Sequence, residues 1–177
     1  MKIIIASDIH GCVTYLKKLE KLINIEQPNY IILLGDLFNF KENNHDLLEF
    51  DQNKTAEILN KYQNKIIAVC GNCDTTTKNL AAFPLNKNYL TLNIDGHSFF
   101  LTHGHLISWY LDQIKDKLVL SGHTHVYNLS GQYINPGSVG LPRQNKEHTC
   151  IIYENNLLKL INLANFNTIQ IRNLEEQ

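Results

Sequence analysis

The 177-residue sequence predicts an α/β (α+β) fold in which two mixed β-sheets pack face to face with helices outside. Three observations lead to this prediction. The first third of the chain alternates short apolar runs with longer helical patterns, which is typical of βαβ units with parallel strands. From residue 89 onward the apolar runs are separated by turn-like gaps, which is typical of hairpins. No repeat or interdomain linker divides the chain, so we expect one domain over residues 1–177.

The first third contains three predicted strands and two predicted helices. The strands are expected at residues 2–6, 30–34 and 66–69, and the helices at residues 12–23 and 55–62. In the first helix, Val13, Leu16, Leu19 and Ile23 recur at three- and four-residue spacing. That spacing places them on one face, so the helix is expected to pack on the sheet.

The remainder of the chain is rich in predicted strands. They are expected at residues 89–94, 97–101, 118–120, 126–129, 133–134, 150–153 and 157–161. Asp95-Gly96 is a strong hairpin signal between two of these runs. A helix is predicted at residues 106–114, and the last dozen residues, which are polar, are expected to fray.

The composition excludes several functional classes. Sixteen Lys and Arg residues face 17 Asp and Glu residues, giving a formal net charge of −1, so the basic excess of a charge-driven nucleic-acid binder is missing. No apolar stretch reaches the roughly 18 residues that a membrane-spanning helix needs. The apolar run at the N-terminus is too short for a secretory signal, so the cysteines are expected to be reduced thiols in a cytoplasmic protein.

Polar residues stand at the carboxyl end of five successive apolar runs. The five segments are Asp8-Ile9-His10, Gly35-Asp36, Gly71-Asn72-Cys73-Asp74, His103-Gly104-His105 and Gly122-His123-Thr124-His125. Ligands of α/β sheets bind outside the carboxyl ends of the strands, so these side chains are expected to converge on one place.

Each segment taken alone is a weak signal. Gly35-Asp36 is also a common turn, and Asn72 is also a common helix cap. His123 and His125 are stronger, because alternate residues of an extended segment face the same side. The joint occurrence decides the interpretation, since independent turns have no reason to follow five hydrophobic strands in this order.

In residue types and order, these segments resemble the motifs of the calcineurin-like metallophosphoesterases, which run D-x-H, G-D, G-N-H/C-D, H-G-H and G-H-T-H. The sequence is most similar to the small bacterial and archaeal phosphodiesterases of the YfcE type. The resemblance covers roughly residues 2–141, including Asn135-Pro136-Gly137-Ser138. It implies an αββα sandwich with a two-metal site at one edge.

The resemblance also implies a set of metal ligands. Asp36 corresponds to the ligand that bridges the two ions. One ion would be completed by Asp8, His10 and His125, and the other by Asn72, His103 and His123. This mixture of carboxylate, imidazole and amide ligands suits Mn²⁺, Fe, Co, Ni or Zn, and the resemblance favours Mn²⁺.

The implied reaction is the hydrolysis of a small phosphodiester by a hydroxide held between the two metal ions. His103 and Asn72 are the candidates for holding the nonbridging phosphoryl oxygens, with Cys73 beside them. Asn39 and His105 are candidate substrate contacts, although Asn39 is also consistent with a turn cap and His105 with a residue that supports a ligand.

Cys73 departs from the broad family, in which a His usually follows the Asn. A neutral thiol is a poorer proton donor at pH 7 than an imidazolium, so a preference for diesters with good leaving groups is expected. Simple packing of Cys73 is an equally weighted interpretation. Cys70 and Cys73 also form a C-x-x-C redox motif, but Asp74-Thr75-Thr76-Thr77 is a poor start for the helix that such a motif needs.

A second functional class stays open. The retromer subunit of the same fold serves mainly as a protein-binding scaffold, and a fold alone does not fix function. That subunit lacks part of the ligand set, whereas all seven ligand positions here hold competent residues, which favours an enzyme. No membrane partner is expected, and a homo-oligomer remains open. Substrate specificity is expected to depend on the loops at residues 38–51, 75–88 and 138–148.

Overall fold

The computed structural model describes residues 1–39, 47–144 and 146–176, and in them two mixed β-sheets. The strands are β1 (Lys2–Ala6), β2 (Tyr30–Leu33), β3 (Ile66–Ala68), β4 (Tyr89–Ile94), β5 (His97–Thr102), β6 (Leu118–Leu120), β7 (Tyr133–Ile134), β8 (Thr149–Glu154), β9 (Leu157–Asn162) and β10 (Thr168–Asn173). The larger sheet has the order β10-β9-β8-β1-β2-β3 and the smaller sheet β4-β5-β6-β7. Each contains parallel and antiparallel pairs, which confirms the predicted fold class.

The larger sheet is buried on both faces, as β1 shows. Its successive side chains point to opposite faces. Ile4 and Ala6 pack in the cluster beneath the helices, whereas Ile3 and Ile5 pack in the cluster that also holds residues of the smaller sheet. β1 is therefore apolar along nearly its whole length, which is typical of a strand covered on both faces.

Two α-helices cover the outer face of the larger sheet. Helix α1 (Val13–Glu26) ends at Gln27, which adopts a left-handed conformation with φ 47°. Helix α2 (Gln52–Asn60) begins after Asp51, whose carboxylate accepts hydrogen bonds from the backbone N–H groups of Asn53 and Lys54. Both helices were predicted, with bounds shifted by a few residues at their ends.

The outer face of the smaller sheet has a thinner cover than the sequence predicts. A small cluster of Phe100, Ile114 and Val119 lies there, together with a 3₁₀ helix at Ile107–Tyr110. The α-helix predicted at residues 106–114 is therefore wrong. The backbone bonds of this segment run from residue i to residue i−3, and the apolar side chain of Trp109 is exposed to solvent, so the segment lacks the continuous buried face that would stabilise an α-helix.

Two further predictions of secondary structure fail. No strand forms at residues 126–129, where the backbone makes only an isolated bridge between Asn128 and Asn135. Conversely, the tail expected to fray contains β10, which pairs antiparallel with β9 at the edge of the larger sheet. The alternation of Ile169 and Ile171 was a signal for this strand, because Ile169 packs on the core between the sheets.

The fold brings five strand ends together. Strands β1, β2 and β3 are parallel, so the loops that follow them leave from one edge of the larger sheet. Strands β5 and β6 are also parallel, and the loop after β5 reaches the larger sheet through a hydrogen bond from His103 Nδ1 to the carbonyl oxygen of Leu34. Within the described residues, no helix combines the length and apolarity needed to cross a membrane.

Candidate metal centre

Five side chains from the predicted ligand set converge at this edge. They are Asp8, His10, Asp36, His103 and His125, and all five are buried. The Asp8 Oδ1 atom lies 3.3 Å from Nε2 of His125 and 3.8 Å from Nε2 of His10. The Asp36 Oδ2 atom lies 3.3 Å from Nε2 of His103 and 3.6 Å from Nε2 of His10. The sheet thus gathers residues that are up to 117 positions apart in the sequence.

These atoms form groups with the spacing of metal ligands. One group consists of Asp8, His10 and His125, and a second consists of Asp8, Asp36 and His103. Asp8 belongs to both groups, and Asp36 lies within 3.6 Å of His10 in the first group. Carboxylates therefore link two adjacent sets of ligand atoms, which is the arrangement that a pair of nearby cations requires.

The three buried imidazoles are held in the tautomer that binds metals. In each of them Nδ1 lies against a backbone carbonyl oxygen, which belongs to Asn39 for His10, to Leu34 for His103 and to Leu141 for His125. A carbonyl only accepts, so Nδ1 donates and carries the proton. The Nε2 atom then presents a lone pair towards the carboxylates, as in metal sites whose imidazoles are oriented by a backbone partner.

Polar atoms at the middle of the cluster have no hydrogen-bond partner. Among the described residues, Asp8 Oδ1 and His103 Nε2 are buried atoms of this cluster that have no hydrogen-bond partner. The Nε2 atoms of His10 and His125 face each other at 3.3 Å, although neither is a donor in the neutral tautomers with the proton on Nδ1. Buried polar groups are normally satisfied. Their convergence without partners, together with the donor types, fits a site built for divalent cations.

The backbone of the cluster is unusual as well. Asp8, His10, Asp36, His123 and His125 all have positive φ, between 49° and 68°. Few residues other than glycine adopt this left-handed region, and such residues concentrate at functional sites. The sequence predicts that His123 and His125 face the same side because they lie on an extended segment, but the segment is not extended. They lie in a bend, where two left-handed residues flank Thr124.

Glycines allow the loops to approach one another. A Cβ at Gly71 would overlap the carboxylate of Asp36, and a Cβ at Gly122 would overlap Ser7 Oγ and Asp8 Oδ2. Any side chain at either position would push a carboxylate away from the cluster. The glycine in the G-N and G-H motifs is thus needed for contact between loops rather than for a turn.

Asp74 fixes two of these loops, a role that the sequence interpretation did not assign. It is buried, and its carboxylate accepts hydrogen bonds from the backbone N–H groups of Asp36 at 2.8 Å, Leu37 at 2.8 Å and Gly71 at 2.9 Å. It therefore ties the loop after β2 to the loop after β3. Burial raises the pKa of Asp74, and these N–H donors counteract part of that rise.

The charges of the cluster are strongly coupled. Burial acts to raise the pKa of Asp36, but the His103 imidazole 3.3 Å away and the N–H of Cys73 outweigh it and hold that pKa well below its usual value. Burial acts to lower the pKa of His103, but Asp36 and the charge of Asp8 outweigh it and raise that pKa. Asp36 and His103 therefore each favour the charged form of the other.

Cys73 and Asn72 lie on the loop after β3. Cys73 is half-buried, and its Sγ falls in a ligand group with His10 and Asp36. Burial and the charge of Asp36 raise the pKa of the Cys73 thiol to about 12, so it is protonated at neutral pH. Asn72 is exposed, and its amide nitrogen donates to Cys73 Sγ at 3.2 Å.

The remaining predicted residues surround the cluster. The His123 ring is exposed and lies 5.0 Å from the His103 ring, measured between centroids. The His105 ring lies 5.5 Å from that of His103, and burial and the charges of His103 and His123 lower the pKa of His105. Asn39 supplies the backbone oxygen that orients His10. Residues 40–46 of the predicted specificity loop at 38–51 lie outside the described residues, as does residue 145 of the loop at 138–148.

The C-x-x-C motif lacks the surroundings of a redox centre. Cys70 and Cys73 are both free, and only a short 3₁₀ helix at Lys78–Leu80 follows them before β4. Burial raises the pKa of Cys70, whereas a redox thiol needs a lowered pKa. Cys70 instead lies buried at the end of β3, as the sequence predicts.

Comparisons with known proteins agree with this geometry. The sequence model of the calcineurin-like phosphoesterase superfamily domain matches residues 1–156. Phosphodiesterase YfcE of Escherichia coli K12 is 33% identical over 170 residues, covering 92% of each chain. The solved structure of E. coli YfcE, a phosphoesterase, has a TM-score of 0.85 at 28% identity and covers 98% of this chain and 100% of its own. Vacuolar Protein Sorting 29 of Cryptosporidium parvum has the same fold, with a TM-score of 0.66 at 14% identity over 97% of this chain and 95% of its own.

Proposed function

The chain belongs to the calcineurin-like phosphoesterase superfamily and is a phosphoric ester hydrolase, and we propose that its reaction is the hydrolysis of small phosphodiesters at a dinuclear metal site. One observation carries the proposal. The carboxylates of Asp8 and Asp36 join two adjacent groups of imidazole and carboxylate atoms from buried residues, and two of these atoms, Asp8 Oδ1 and His103 Nε2, lack a hydrogen-bond partner.

The resemblance supplies the full assignment, and the geometry supports part of it. Asp8, His10 and His125, which form one ligand group, would hold one ion, and Asp36, within 3.6 Å of His10 and 3.3 Å of His103, would contribute to both. His103 would hold the second ion, together with Asn72 and His123, which are assigned from the resemblance alone. When bound, such a pair of divalent ions lowers the pKa of coordinated water and neutralises charge on the phosphoryl oxygens. Mn²⁺ is our first choice, and Fe, Zn, Ni and Co suit the same ligand types.

Asp36 and the imidazoles also prepare the site for a phosphate anion. The backbone carbonyls of Asn39, Leu34 and Leu141 keep the lone pairs of the buried imidazoles pointing inward, so no side chain has to reorient when substrate arrives. The resemblance makes His103 and Asn72 the candidates for holding the nonbridging oxygens; in the structure the amide nitrogen of Asn72 donates to Cys73 Sγ, and the His105 ring lies 5.5 Å from that of His103 between centroids. We assign substrate contact to these residues and to Asn39.

The second candidate is a protein-binding scaffold of the same fold. It is favoured by the fold similarity to Vacuolar Protein Sorting 29 and by the exposed apolar side chains of Trp109 and Leu111. The retention of a competent residue at each of the seven ligand positions argues against a purely structural role.

The two candidates are separated by an assay of diester hydrolysis. Bis(4-nitrophenyl) phosphate is incubated with the protein and Mn²⁺, and Asp36→Asn is compared with wild type. We expect Asp36→Asn to lower the rate by about a hundredfold or more, because an amide does not bridge two cations as a carboxylate does. Equal, background-level rates in the two proteins would reject the enzyme and favour the scaffold.

A further inference from the structure

A cavity of about 530 Å³ opens directly beside the candidate metal centre, on the side of His123. Its wall includes Gly104, Gly122 and His123, which belong to the same loops as the predicted ligands. A Cβ at Gly104 would stand 3.5 Å from Gly122 O and from His123 Cβ, so these two loops are in contact. A phosphoryl group held at the centre therefore has one ester substituent within reach of this cavity.

Two amide side chains of the cavity wall are already engaged with the wall itself. The amide of Asn128 donates to the backbone oxygens of Ser130 and Tyr133, and the amide of Asn135 donates to Gly122 O at 2.8 Å and to Thr124 Oγ1 at 3.1 Å. Their side-chain oxygens accept from Ser130 and Gly137. A ligand with many hydroxyl groups would have to break these bonds to be satisfied.

The remaining lining is mainly apolar. Ile107 and Val126 are half-buried, Tyr133 is 42% exposed, and Tyr127 turns its hydroxyl away to donate to Glu147 at 3.2 Å. The carbon atoms of these side chains therefore face the cavity. Pockets of this composition gain most of their affinity from apolar area removed from water.

A second cavity beside the centre differs in charge. It has a similar volume, lies at His125 and includes the exposed side chains of Arg143 and Lys146 in its wall. An anionic substituent would be attracted there, whereas the described lining of the cavity at His123 contains no Lys, Arg, Asp or Glu. The two cavities thus offer different environments to the two ester groups of a diester.

We infer that the cavity at His123, which has room for a phenyl ring or a larger group, binds an apolar ester group, so that the enzyme prefers diesters carrying one aryl or other sizeable apolar substituent. The inference rests on the proposed function, because it places the phosphoryl group at the metal centre. It adds a specificity determinant formed by Ile107, Val126 and Tyr133.

The test measures the binding of phosphonates, whose C–P bond is not hydrolysed. Phenylphosphonate, methylphosphonate and 2,3-dihydroxypropylphosphonate are titrated into the Mn²⁺-loaded protein by calorimetry. We expect the phenyl compound to bind about tenfold more tightly than the methyl compound. The dihydroxypropyl compound is expected to bind no more tightly than the methyl compound, because the polar wall groups are engaged.

Two variants and a matched control locate the effect. Val126→Phe places a ring in part of the space that the phenyl group would occupy and is expected to lower the phenyl-to-methyl ratio at least threefold. Tyr133→Ala removes part of the wall without crowding and should lower the ratio about threefold. Ile171→Phe makes a comparable apolar addition at an exposed position of β10 and should leave the ratio unchanged. A ratio of affinities is not affected by a loss of folded protein.

The outcomes separate this inference from the proposed function. Equal binding of phenyl and methyl compounds, equal binding of phenyl and dihydroxypropyl compounds, or an unchanged ratio in Val126→Phe would overturn the apolar cavity. Continued hydrolysis of bis(4-nitrophenyl) phosphate would keep the proposed function in each of these cases. A protein that binds none of the phosphonates and hydrolyses no diester would reject both.

Discussion

Strand β1 and the loop that follows it are equally buried but differ in every other respect. Ile3, Ile4 and Ile5 are apolar residues in an extended strand, packed on both faces of the sheet. Asp8 and His10 are ionisable residues with positive φ, and Asp8 has a buried oxygen without a partner. Burial of the strand stabilises the fold, whereas burial of Asp8 and His10 opposes it. Residues that stabilise the fold thus precede the end of β1, and candidate metal ligands follow it.

This contrast predicts that a strand substitution alters stability and leaves metal binding alone. Ile4→Ala is expected to lower the free energy of unfolding by about 2–5 kcal/mol, because it removes a buried side chain and leaves a cavity. Its affinity for Mn²⁺, measured by calorimetry on the folded protein, should stay within about twofold of wild type. Urea unfolding without metal gives the stability.

Ile171→Ala is the control for this substitution, since that side chain is exposed on β10 and its loss should change stability by less than about 0.5 kcal/mol. A large fall in the Mn²⁺ affinity of Ile4→Ala would mean that strand and loop are not separable.

Asp74 combines properties of the two regions. It is a buried ionisable residue, but its carboxylate holds the backbone of two loops in place and is not a proposed metal ligand. Asp74→Asn replaces one acceptor oxygen with an NH₂ group facing an N–H donor of the loops, so Asp36 should lose its fixed orientation. We expect the affinity for Mn²⁺ to fall about 10- to 100-fold. Calorimetric titration with Mn²⁺ measures this, and a thermal melt in the absence of metal measures the accompanying loss of stability.

Asp51→Asn is the matched control, since it makes the same chemical change at another carboxylate that accepts backbone N–H groups, in this case two at the start of α2. Asn is as good an N-cap as Asp, so neither affinity nor stability should change much. If Asp74→Asn binds Mn²⁺ as wild type does, the two loops hold their positions without the carboxylate.

The smallest expected effect concerns Cys73 on the loop after β3. A substitution there changes a candidate proton donor and leaves the Asp36 carboxylate in place. Cys73→His should raise the rate with alkyl phosphate diesters relative to bis(4-nitrophenyl) phosphate by about threefold to tenfold, since an imidazolium donates a proton to a poor leaving group more readily than a thiol. Initial rates with both substrates give the selectivity. Cys73→Ser lacks the ring and should keep the wild-type ratio. Unchanged selectivity in Cys73→His would leave packing as the role of Cys73.

The sequence predicts the strand bodies well and the irregular segments poorly. Lys2–Ala6 forms a strand as expected because every side chain in it contributes to burial on one face or the other. Residues 106–114 mislead because their apolar spacing suggests a buried face, while Trp109 and Leu111 are in fact exposed. β10 was missed because an edge strand with one covered face retains only Ile169 and Ile171 as apolar signals.

For the candidate site, the order of the motifs predicts which side chains meet but not how. Motif spacing identifies Asp8, Asp36 and His103, which the structure brings into one cluster. It does not reveal that the backbone oxygens of Leu34 and Leu141 select the imidazole tautomers, because carbonyl groups are common to all residues. The position of Asp74 was likewise invisible, since it depends on contacts between loops that are distant in the chain.

The left-handed conformation of Asp8, His10, Asp36, His123 and His125 restricts how this family of sequences can drift. The backbone shape is fixed by the strands and by hydrogen bonds such as Asp8 N–H to Gly35 O, so it persists even when catalysis is lost. A descendant freed from the need for metal would accept Gly or Asn at these positions far more readily than Val, Leu or Ala. Glycine and asparagine at the ligand positions are therefore the expected mark of a relative that has kept the fold and abandoned the reaction.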